Sequence, residues 1–482
     1  MSLKRIFLKD SFVYGVSSYL SLIAAFILTP IYTRILTKED YGIMDLNTTW
    51  NGFFALIIPL GLATAVLRMY HEFKSNTLEK KEYLGTLLIT LLLSSFLYVG
   101  ILFLFSGNII SGYYQTDFDV RIYYLSIGIV FFTVITSYFQ ALNRIRFRKY
   151  IYLIINLVSF LLLTALGYIL VVIHHYGILG FFIASFVASG VGFIMSVLFG
   201  KADIHFKFNY GILKSSLSYS IPLLMVIVFL KFTFIVDRLI INEMLDLKSI
   251  GEYSIIMRIG NVFNLLIGAF TTAWFPYAMS IISSKQRDAI YAKGFKYYLL
   301  IFSVVAFIIM LFNQELILFF APDYLDIENV VYIIIPTSLV GGAAYFFGLG
   351  IHISKKTSYF LYSSVISFVI NVLVSILLTY YLGIMGIALG SLIAIFSWVI
   401  IEYYFSYKLE EIKFNLLMLL TSVLVLLAAG FLISKFNLLF SDIYIGVMMK
   451  ILAMFVLIGL MLLNTKLRVV IIENIKKHIV KW

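Results

Sequence analysis

Long, nearly uninterrupted apolar runs constrain the fold of this chain more than any other feature of its sequence. Each run is long enough to cross a bilayer, which takes roughly 20 residues of helix. Lipid-exposed backbone must satisfy its hydrogen bonds internally, and the runs lack the alternation of barrel strands, so they predict membrane-spanning helices. We place about fourteen spans, near residues 11–35, 42–67, 83–105, 122–142, 150–173, 177–199, 217–236, 250–275, 297–313, 330–353, 358–381, 383–407, 416–433 and 443–463.

The distribution of Lys and Arg predicts the orientation of these spans. Most of the 36 basic residues lie in alternate connections, such as Arg144, Arg146, Arg148 and Lys149 between the fourth and fifth spans. Cytoplasmic loops carry an excess of Lys and Arg, so both termini are expected in the cytoplasm. These loops account for the formal net charge of +12, and nucleic acid is therefore not an expected partner.

Composition narrows the class of protein further. The chain is 62% hydrophobic and 12% charged, whereas soluble domains carry about 25% charged residues. The connections between spans are too short for a soluble catalytic domain, and the sequence has neither cysteine nor a P-loop motif. The first apolar run exceeds the roughly 7–15-residue core of a signal peptide, so we expect it to be retained. A transport protein without catalytic residues, cofactor or metal site is the expectation.

Two parts of the chain repeat each other. Each part has a Gly-Ile-x-Gly motif followed by a Ser, and a glycine where its second span begins. The matching residues are Gly177-Ile-Leu-Gly180 with Ser185, Gly383-Ile-Met-Gly386 with Ser391, and Tyr41-Gly42 with Gly251-Glu-Tyr253. Six spans is an even number, so the copies are parallel repeats, which place a binding site at their interface.

The predicted fold is therefore all-α, a polytopic membrane bundle of two pseudo-symmetric six-helix lobes and two further helices. The N-lobe covers residues 1–205 with spans 1–6, and the C-lobe covers 206–410 with spans 7–12. Residues 411–482 hold spans 13 and 14 and a basic cytoplasmic tail.

Polar residues inside the spans indicate the site, because ionisable groups are expensive in a membrane and usually face a cavity or a partner. They concentrate in the first two spans of each repeat. Span 8 carries one polar face with Arg258 and Asn261, span 7 carries Lys231 with Asp237 and Arg238, and span 2 carries Asp45. We expect these helices to enclose a hydrated, net cationic cavity where the lobes meet, with Asp45 or Asp237 as the ion-coupling group.

Simpler roles remain open for several of these residues. Arg34 and Arg238 can reach lipid headgroups from the outer interface, and Arg68 can serve as a positive-inside anchor. Lys231 can form an internal ion pair with Asp237 or Asp45. Glu402, near the inner end of span 12, is expected to face the cytoplasm.

The start of the chain resembles a known family. The stretch Pro30-Ile-Tyr-Thr-Arg34-Ile-Leu-Thr-Lys-Glu-Asp-Tyr41-Gly42, followed by Gly61-Leu-Ala-Thr-Ala-Val-Leu-Arg68, is similar to the opening of the polysaccharide exporters. These are oligosaccharide flippases of the multidrug/oligosaccharidyl-lipid/polysaccharide (MOP) superfamily. The resemblance implies a two-lobed bundle that works by alternating access in the bacterial cytoplasmic (inner) membrane.

The same resemblance implies a substrate and its contacts. The substrate is an undecaprenyl-pyrophosphate-linked oligosaccharide repeat unit of O-antigen, capsule or exopolysaccharide. Arg34, Arg68 and Arg258 match arginines that contact the lipid pyrophosphate in such flippases, and Lys231, Asn261 and Asp45 complete the expected binding set. Membrane lipid, a polysaccharide polymerase and chain-length proteins are the implied partners.

Physical chemistry agrees with this substrate, because a guanidinium can grip a pyrophosphate through paired hydrogen bonds. Two other classes stay open. A peptidoglycan-precursor or multidrug exporter of the same superfamily would share the architecture, although a cationic cavity disfavours cationic drugs. A membrane polysaccharide polymerase should have a large outer loop, which this sequence lacks.

Overall fold

The computed structural model describes residues 17, 20, 23–70, 78–107, 119–200, 205–439 and 446–451, and its regular elements within these ranges are helical. In chain order they are α1 (Ile23–Tyr32), α2 (Lys38–Ile57), α3 (Leu62–Met69), α4 (Leu78–Leu104), α5 (Val120–Ile145), α6 (Lys149–Gly167), α7 (Gly177–Gly200), α8 (Tyr210–Met244), α9 (Leu247–Ser280), α10 (Arg287–Leu311), α11 (Asn313–Phe320), α12 (Glu328–Phe347), α13 (Leu349–Ile353), α14 (Ser358–Leu382), α15 (Ile384–Glu410) and α16 (Leu416–Leu439). A π-helical turn, Tyr168–Ile173, continues α6, and a 3-10 turn, Pro322–Ile327, precedes α12.

These helices confirm the predicted all-α membrane bundle. Within the described ranges, ten helical segments are long and apolar enough to cross a membrane. The predicted spans 2 and 7 correspond to α2 with α3 and to α8, which are more polar. The outermost parts of the predicted spans 11–35 and 443–463 lie outside the described residues.

The predicted second span, 42–67, is not one continuous helix, because the helix breaks between α2 and α3. Leu60 and Gly61 adopt positive φ angles of 51° and 70° directly after Pro59. The Ser220 hydroxyl of α8 donates to the Leu60 carbonyl at 2.8 Å, which satisfies backbone that the break exposes. The break thereby fixes α8 against the N-lobe.

Equivalent helices make equivalent contacts in the two halves. In the first half α5 and α6 both pack on α7, and α2 packs on α5; in the second, α12 and α14 both pack on α15, and α9 packs on α12. The Gly-Ile-x-Gly motifs occupy matching turns, since Gly177 and Gly383 share a φ of 56°. The division at 1–205, 206–410 and 411–482 remains a prediction.

The two halves meet along α2 and α9, the second helices of the repeats. A Cβ atom on Gly42 would collide with the Leu247 carbonyl, and one on Gly251 would collide with the Lys38 carbonyl. The two glycines therefore allow reciprocal backbone contact. Lys38 and Glu252 form an ion pair of 2.9 Å beside it.

Candidate functional site

Arg258 connects three helices around the interface. It projects from α9, and its Nη1 donates to Thr29 Oγ1 of α1 at 2.7 Å. Its guanidinium carbon lies 5.2 Å from the ring centroid of Tyr41 in α2, which is within the range of a cation–π contact. The side chain is half-buried, so part of its donor array faces open space.

That open space is a cavity of about 170 Å³ between α1 and α9. Arg258 is the one charged residue among those that line it, and Thr29 and Asn261 are its polar neighbours. The remaining lining residues are apolar: Ile23, Ala25, Phe26, Ile255, Ile259, Val262, Leu265 and Phe320. Arg258 gives this cavity a positive charge, and its other walls are mostly apolar.

Arg34 and Arg68 do not line this cavity in the described part of the chain. Arg34 is exposed, and it donates to the carbonyl of Phe319 at 3.0 Å and to that of Pro30. Phe319 precedes the cavity residue Phe320, so Arg34 lies near the cavity rim. The side chain of Arg68 lies outside the described residues.

Lys231 makes neither of the two ion pairs considered for it. The residue is exposed, its Nζ lies 5.7 Å from the Phe234 ring centroid, and no described carboxylate lies within ion-pair distance. Asp45 instead pairs with Arg238 at 3.0 Å, so this ion pair joins α2 of one half to α8 of the other. Lys231 is not brought to the Arg258 cavity, and Asn261 is.

Asp237, the neighbour of Arg238 in the chain, faces the inside of the second half. Its side chain is 1% exposed, and Oδ2 accepts from the Ser391 hydroxyl at 2.9 Å and the Tyr253 hydroxyl at 3.2 Å. Asn371 donates to the same Ser391 hydroxyl at 3.4 Å. Four helices, α8, α9, α14 and α15, thus contribute to one buried polar cluster.

Three oxygens in this cluster region are buried without a hydrogen-bond partner among the described residues: Asp237 Oδ1, Asn371 Oδ1 and Ser375 Oγ. Buried polar atoms normally find a partner, and an unpaired one is costly. One carboxylate with neutral oxygens around it is suited to hold a single small cation or a proton. No group of three or more His, Cys, Asp or Glu residues within the described ranges forms a metal site.

Sequence reasoning missed several of these residues. Thr29 and Phe320 line the cavity because of tertiary contacts, which local sequence patterns do not predict. Asn371 could have been predicted as part of a polar helix face, because polar residues recur at every fourth position of α14 around it. The expectation that Glu402 faces the cytoplasm is wrong: its side chain is 1% exposed and packs inside the second half.

Comparison with known proteins identifies a sequence family and solved structures of similar architecture. Residues 7–283 match a family model described as polysaccharide biosynthesis protein. No curated protein sequence matches the chain. Among solved structures, the chain is similar to the lipid II flippase MurJ in an inward closed conformation, with 17% identity, a TM-score of 0.73, and coverage of 94% of this chain and 99% of that one.

Multidrug transporters are also similar in structure. A multidrug resistance MATE family transporter of the MOP superfamily in the inward-facing conformation has 13% identity, a TM-score of 0.68, and coverage of 83% of this chain and 94% of that one. The outward-facing conformation of such a transporter has 14% identity, a TM-score of 0.62, and coverage of 84% and 96%. These similarities establish the fold.

Proposed function

The chain belongs to the polysaccharide biosynthesis protein family, and from this premise we propose that it is a flippase for polyprenyl-pyrophosphate-linked oligosaccharide repeat units. It carries them across the bacterial cytoplasmic membrane by alternating access between its two halves. Undecaprenyl is the expected lipid, and both termini are cytoplasmic.

The observation that carries this proposal is the mixed chemistry of the Arg258 cavity. One wall offers a guanidinium, a hydroxyl and a carboxamide, and the remainder is aliphatic and aromatic. A lipid-linked sugar has the same division, with a doubly charged pyrophosphate between a polar glycan and an apolar chain. The cavity lies between α1 and α9, and its apolar walls suit the start of the prenyl chain.

Arg258 supplies the contact to the pyrophosphate. Its planar guanidinium carries five N–H donors, and the described structure assigns one of them, to Thr29. Paired hydrogen bonds to phosphate oxygens are stronger in a cavity that excludes most water. Arg34 at the rim and Asn261 within the cavity extend this contact toward the glycan.

Two related transport functions fit less fully. A lipid-linked peptidoglycan precursor presents the same pyrophosphate, so Arg258 and Asn261 do not discriminate against it. A cationic drug would meet the positive charge of Arg258 with no described carboxylate among the lining residues. A polymerase is disfavoured by the short connections of the sequence.

We assign coupling to an ion gradient to Asp237. Asp45 is occupied by its ion pair with Arg238, whereas Asp237 retains a buried, unpartnered oxygen. The two carboxylates are linked, because Arg238 lies 5.4 Å over the ring of Tyr253, whose hydroxyl donates to Asp237. A cation or proton bound at Asp237 changes the field on Arg238, and thereby the strength of the ion pair between the two halves.

The test uses full-length protein in liposomes with a fluorescent polyprenyl-pyrophosphate disaccharide. Arg258→Ala should slow flipping by about tenfold or more, since a charged hydrogen bond contributes about 1.5–3 kcal/mol. Arg258→Lys keeps the charge and should recover part of the rate. Arg121→Ala is the matched control, because Arg121 is exposed and pairs with Asp119 outside the cavity. Wild-type flipping in Arg258→Ala would reject this site.

A second arm separates the substrates. The same liposomes receive a lipid-linked peptidoglycan precursor and a cationic dye in turn. Preference for the oligosaccharide lipid supports the proposal, and preference for the precursor would reassign the substrate. Formation of new glycosidic bonds would identify an enzyme.

A further inference from the structure

Glu402 is a buried acid that the proposed transport cycle does not yet use. It lies on α15, and the Ser363 hydroxyl of α14 donates to its Oε1 at 3.5 Å. The indole of Trp398, one turn earlier on α15, lies beside the carboxyl. No Lys or Arg within the described ranges lies within ion-pair distance of it. An ionised carboxylate without a cation is costly in such a place, whereas the neutral acid fits it.

The charged and titratable groups on the elements around this end of α15 have other neighbours. On α15 itself, Glu410 pairs with Arg287 of α10 at 3.2 Å, and the Tyr403 hydroxyl meets the backbone of Phe414. His352 of α13 packs against the rings of Phe275 and Phe360. On α14, the Tyr359 ring packs against Phe405. On α8, Lys231 is exposed next to Phe232, which packs on Phe368 of α14, and Asp237 lies further along at Asn371.

A continuous stripe of buried polar side chains runs from Glu402 toward Asp237. It occupies every fourth position of α14 and consists of Ser363, Ser367, Asn371, Ser375 and Thr379. Residues four apart lie on one face of a helix, and here that face packs on α15. Asn371 reaches Ser391 of α15, whose hydroxyl donates to Asp237. Glu402 therefore lies at one end of the stripe, at Ser363, and Asp237 lies near its middle, at Asn371.

The stripe also contains polar atoms that point to a ligand. Among the described residues, Asp237 Oδ1 and Asn371 Oδ1 are buried and without partners at the Asp237 end of the segment Ser363–Asn371, and Ser375 Oγ and Thr379 Oγ1 are so beyond it. Successive members are about 6 Å apart along the axis, so direct transfer between them is too long. A buried water makes about three hydrogen bonds to such unsatisfied groups, and waters between the hydroxyls would connect them.

We propose that Glu402 is a proton-binding site that exchanges protons with Asp237 along the polar stripe of α14. The proposal deepens the ion coupling of the proposed function, and it rests on that function. Ser391 and Glu402 are eleven residues apart on α15, which spans about 16 Å. Glu402 lies toward the end of α15 that the basic loops predict to be cytoplasmic. Neutral Glu402 first releases its proton to the cytoplasm, and the proton of Asp237 then passes along the stripe to reprotonate it, which leaves Asp237 ionised for the next proton.

The first experiment measures flipping of the fluorescent polyprenyl-pyrophosphate disaccharide with and without an imposed pH gradient. Acceleration by the gradient is expected in wild type and lost in Glu402→Gln, which keeps the shape of the side chain but cannot titrate. Flipping without a gradient should persist in that variant. Glu410→Gln, an acid on the same helix that pairs with Arg287, should keep the acceleration. Full acceleration in Glu402→Gln would overturn the proposal.

The hydroxyl stripe provides a second set of variants. Ser367→Ala should reduce the acceleration, because it removes one polar member between the two carboxyls. Ser397→Ala is the control: its hydroxyl bonds the Ala394 carbonyl, as that of Ser367 does, but it belongs to α15 and not to the stripe. Equal acceleration in the two serine variants would reject the path.

A measurement without substrate separates this inference from the proposed function. Infrared difference spectra of the purified full-length protein, taken between acidic and alkaline solution, report protonated carboxylic acids. One carboxylic acid band should disappear in Glu402→Gln and remain in Glu410→Gln. If wild type flips no disaccharide yet this band is present, the proposed substrate fails while the proton site stands; an unchanged spectrum in Glu402→Gln would reject the proton site.

Discussion

The helical hairpins α6–α7 and α14–α15 occupy equivalent places in the two halves and differ in chemistry. Both turn at a glycine with a φ of 56°, and both bring backbones close at the second glycine of the motif. In the first half, the buried side of α7 carries small residues at every fourth position: Gly180, Ala184, Ala188, Gly192, Ser196 and Gly200. In the second half, α14 presents the polar stripe in the corresponding interface.

This difference shows that the two hairpins share a packing geometry while the residues in their interfaces differ in polarity. Small residues let helices approach and give packing without any titratable group. The polar stripe of α14 is less favourable in a membrane, and buried acids next to it are a further cost. In the proposed mechanism the first half therefore serves as the frame, and the second half holds the groups that respond to ions.

The largest effect should come from breaking the geometry that both hairpins share. A Cβ on Gly386 would collide with the backbone of Leu378, and one on Gly180 would press on that of Leu170. Gly386→Leu and Gly180→Leu should each destabilise by more than the roughly 1–3 kcal/mol of ordinary overpacking, because backbone cannot move aside. Thermal unfolding in detergent measures this. Gly100→Leu, where nothing lies within 4 Å, is the control.

A change in the polarity of the α14 stripe that keeps its packing should remove the ion dependence of flipping without lowering the stability of the protein. Asn371→Leu conserves volume and removes the carboxamide from the Asp237 cluster. Stimulation of flipping by an ion gradient should be lost, since Ser391 no longer accepts the hydrogen bond from Asn371 that orients its hydroxyl toward Asp237. Ser159→Ala in the hairpin of the first half, where Ser159 faces Gly192, should change nothing. Equal behaviour of the two variants would contradict the division of roles.

A smaller effect is expected from the matched serines of the two motifs. Ser391→Ala removes a hydrogen bond to Asp237, and bonds to charged groups contribute about 1.5–3 kcal/mol. Ion stimulation should therefore weaken by about tenfold. Ser185→Ala, the equivalent change in the first half, should leave transport intact. The measurement is the flipping rate of each variant over a range of gradient sizes. A greater loss of stimulation in Ser185→Ala than in Ser391→Ala would contradict this expectation.

The smallest effect on transport should come from a change at the interface between α2 and α9. Lys38→Met removes the ion pair with Glu252. The side chain of Lys38 is 18% exposed and that of Glu252 is 11% exposed. Partly exposed pairs contribute less than about 1 kcal/mol, so the balance between conformations should shift only a few-fold. Distance measurements between labels on α2 and α9 would detect the shift. A large opening would assign this pair a greater part in holding the halves together.

The sequence predicted the spans well because lipid imposes one strong rule on every segment that crosses it. Apolar length is a local property, and it was sufficient for the long helices from α4 to α16, but not for the short helix α11 between the predicted spans 297–313 and 330–353. The break at Gly61 was not foreseen, because Pro59 and Gly61 are tolerated in membrane helices when another helix satisfies the backbone.

The site was only partly predictable, because its partners are far apart in the chain. Arg258, Asn261 and Asp237 stood out as polar residues in apolar runs. That Asp45 would pair with Arg238 and not with Lys231 depends on the relative rotation of α2 and α8, which a sequence pattern does not encode. Glu402 was misplaced because position near a helix end was taken as a sign of exposure.

The consecutive positions of Asp237 and Arg238 have one more consequence. Consecutive residues of an α-helix point about 100° apart, so a rotation of α8 about its axis would move the guanidinium and the carboxylate together. A small molecule bound between Arg238 and Asp45 that rotates α8 would therefore also displace Asp237 on the other side of the helix. If Asp237 holds the coupling ion as proposed, such an inhibitor would compete with the ion gradient, and its potency would vary with the energy state of the cell.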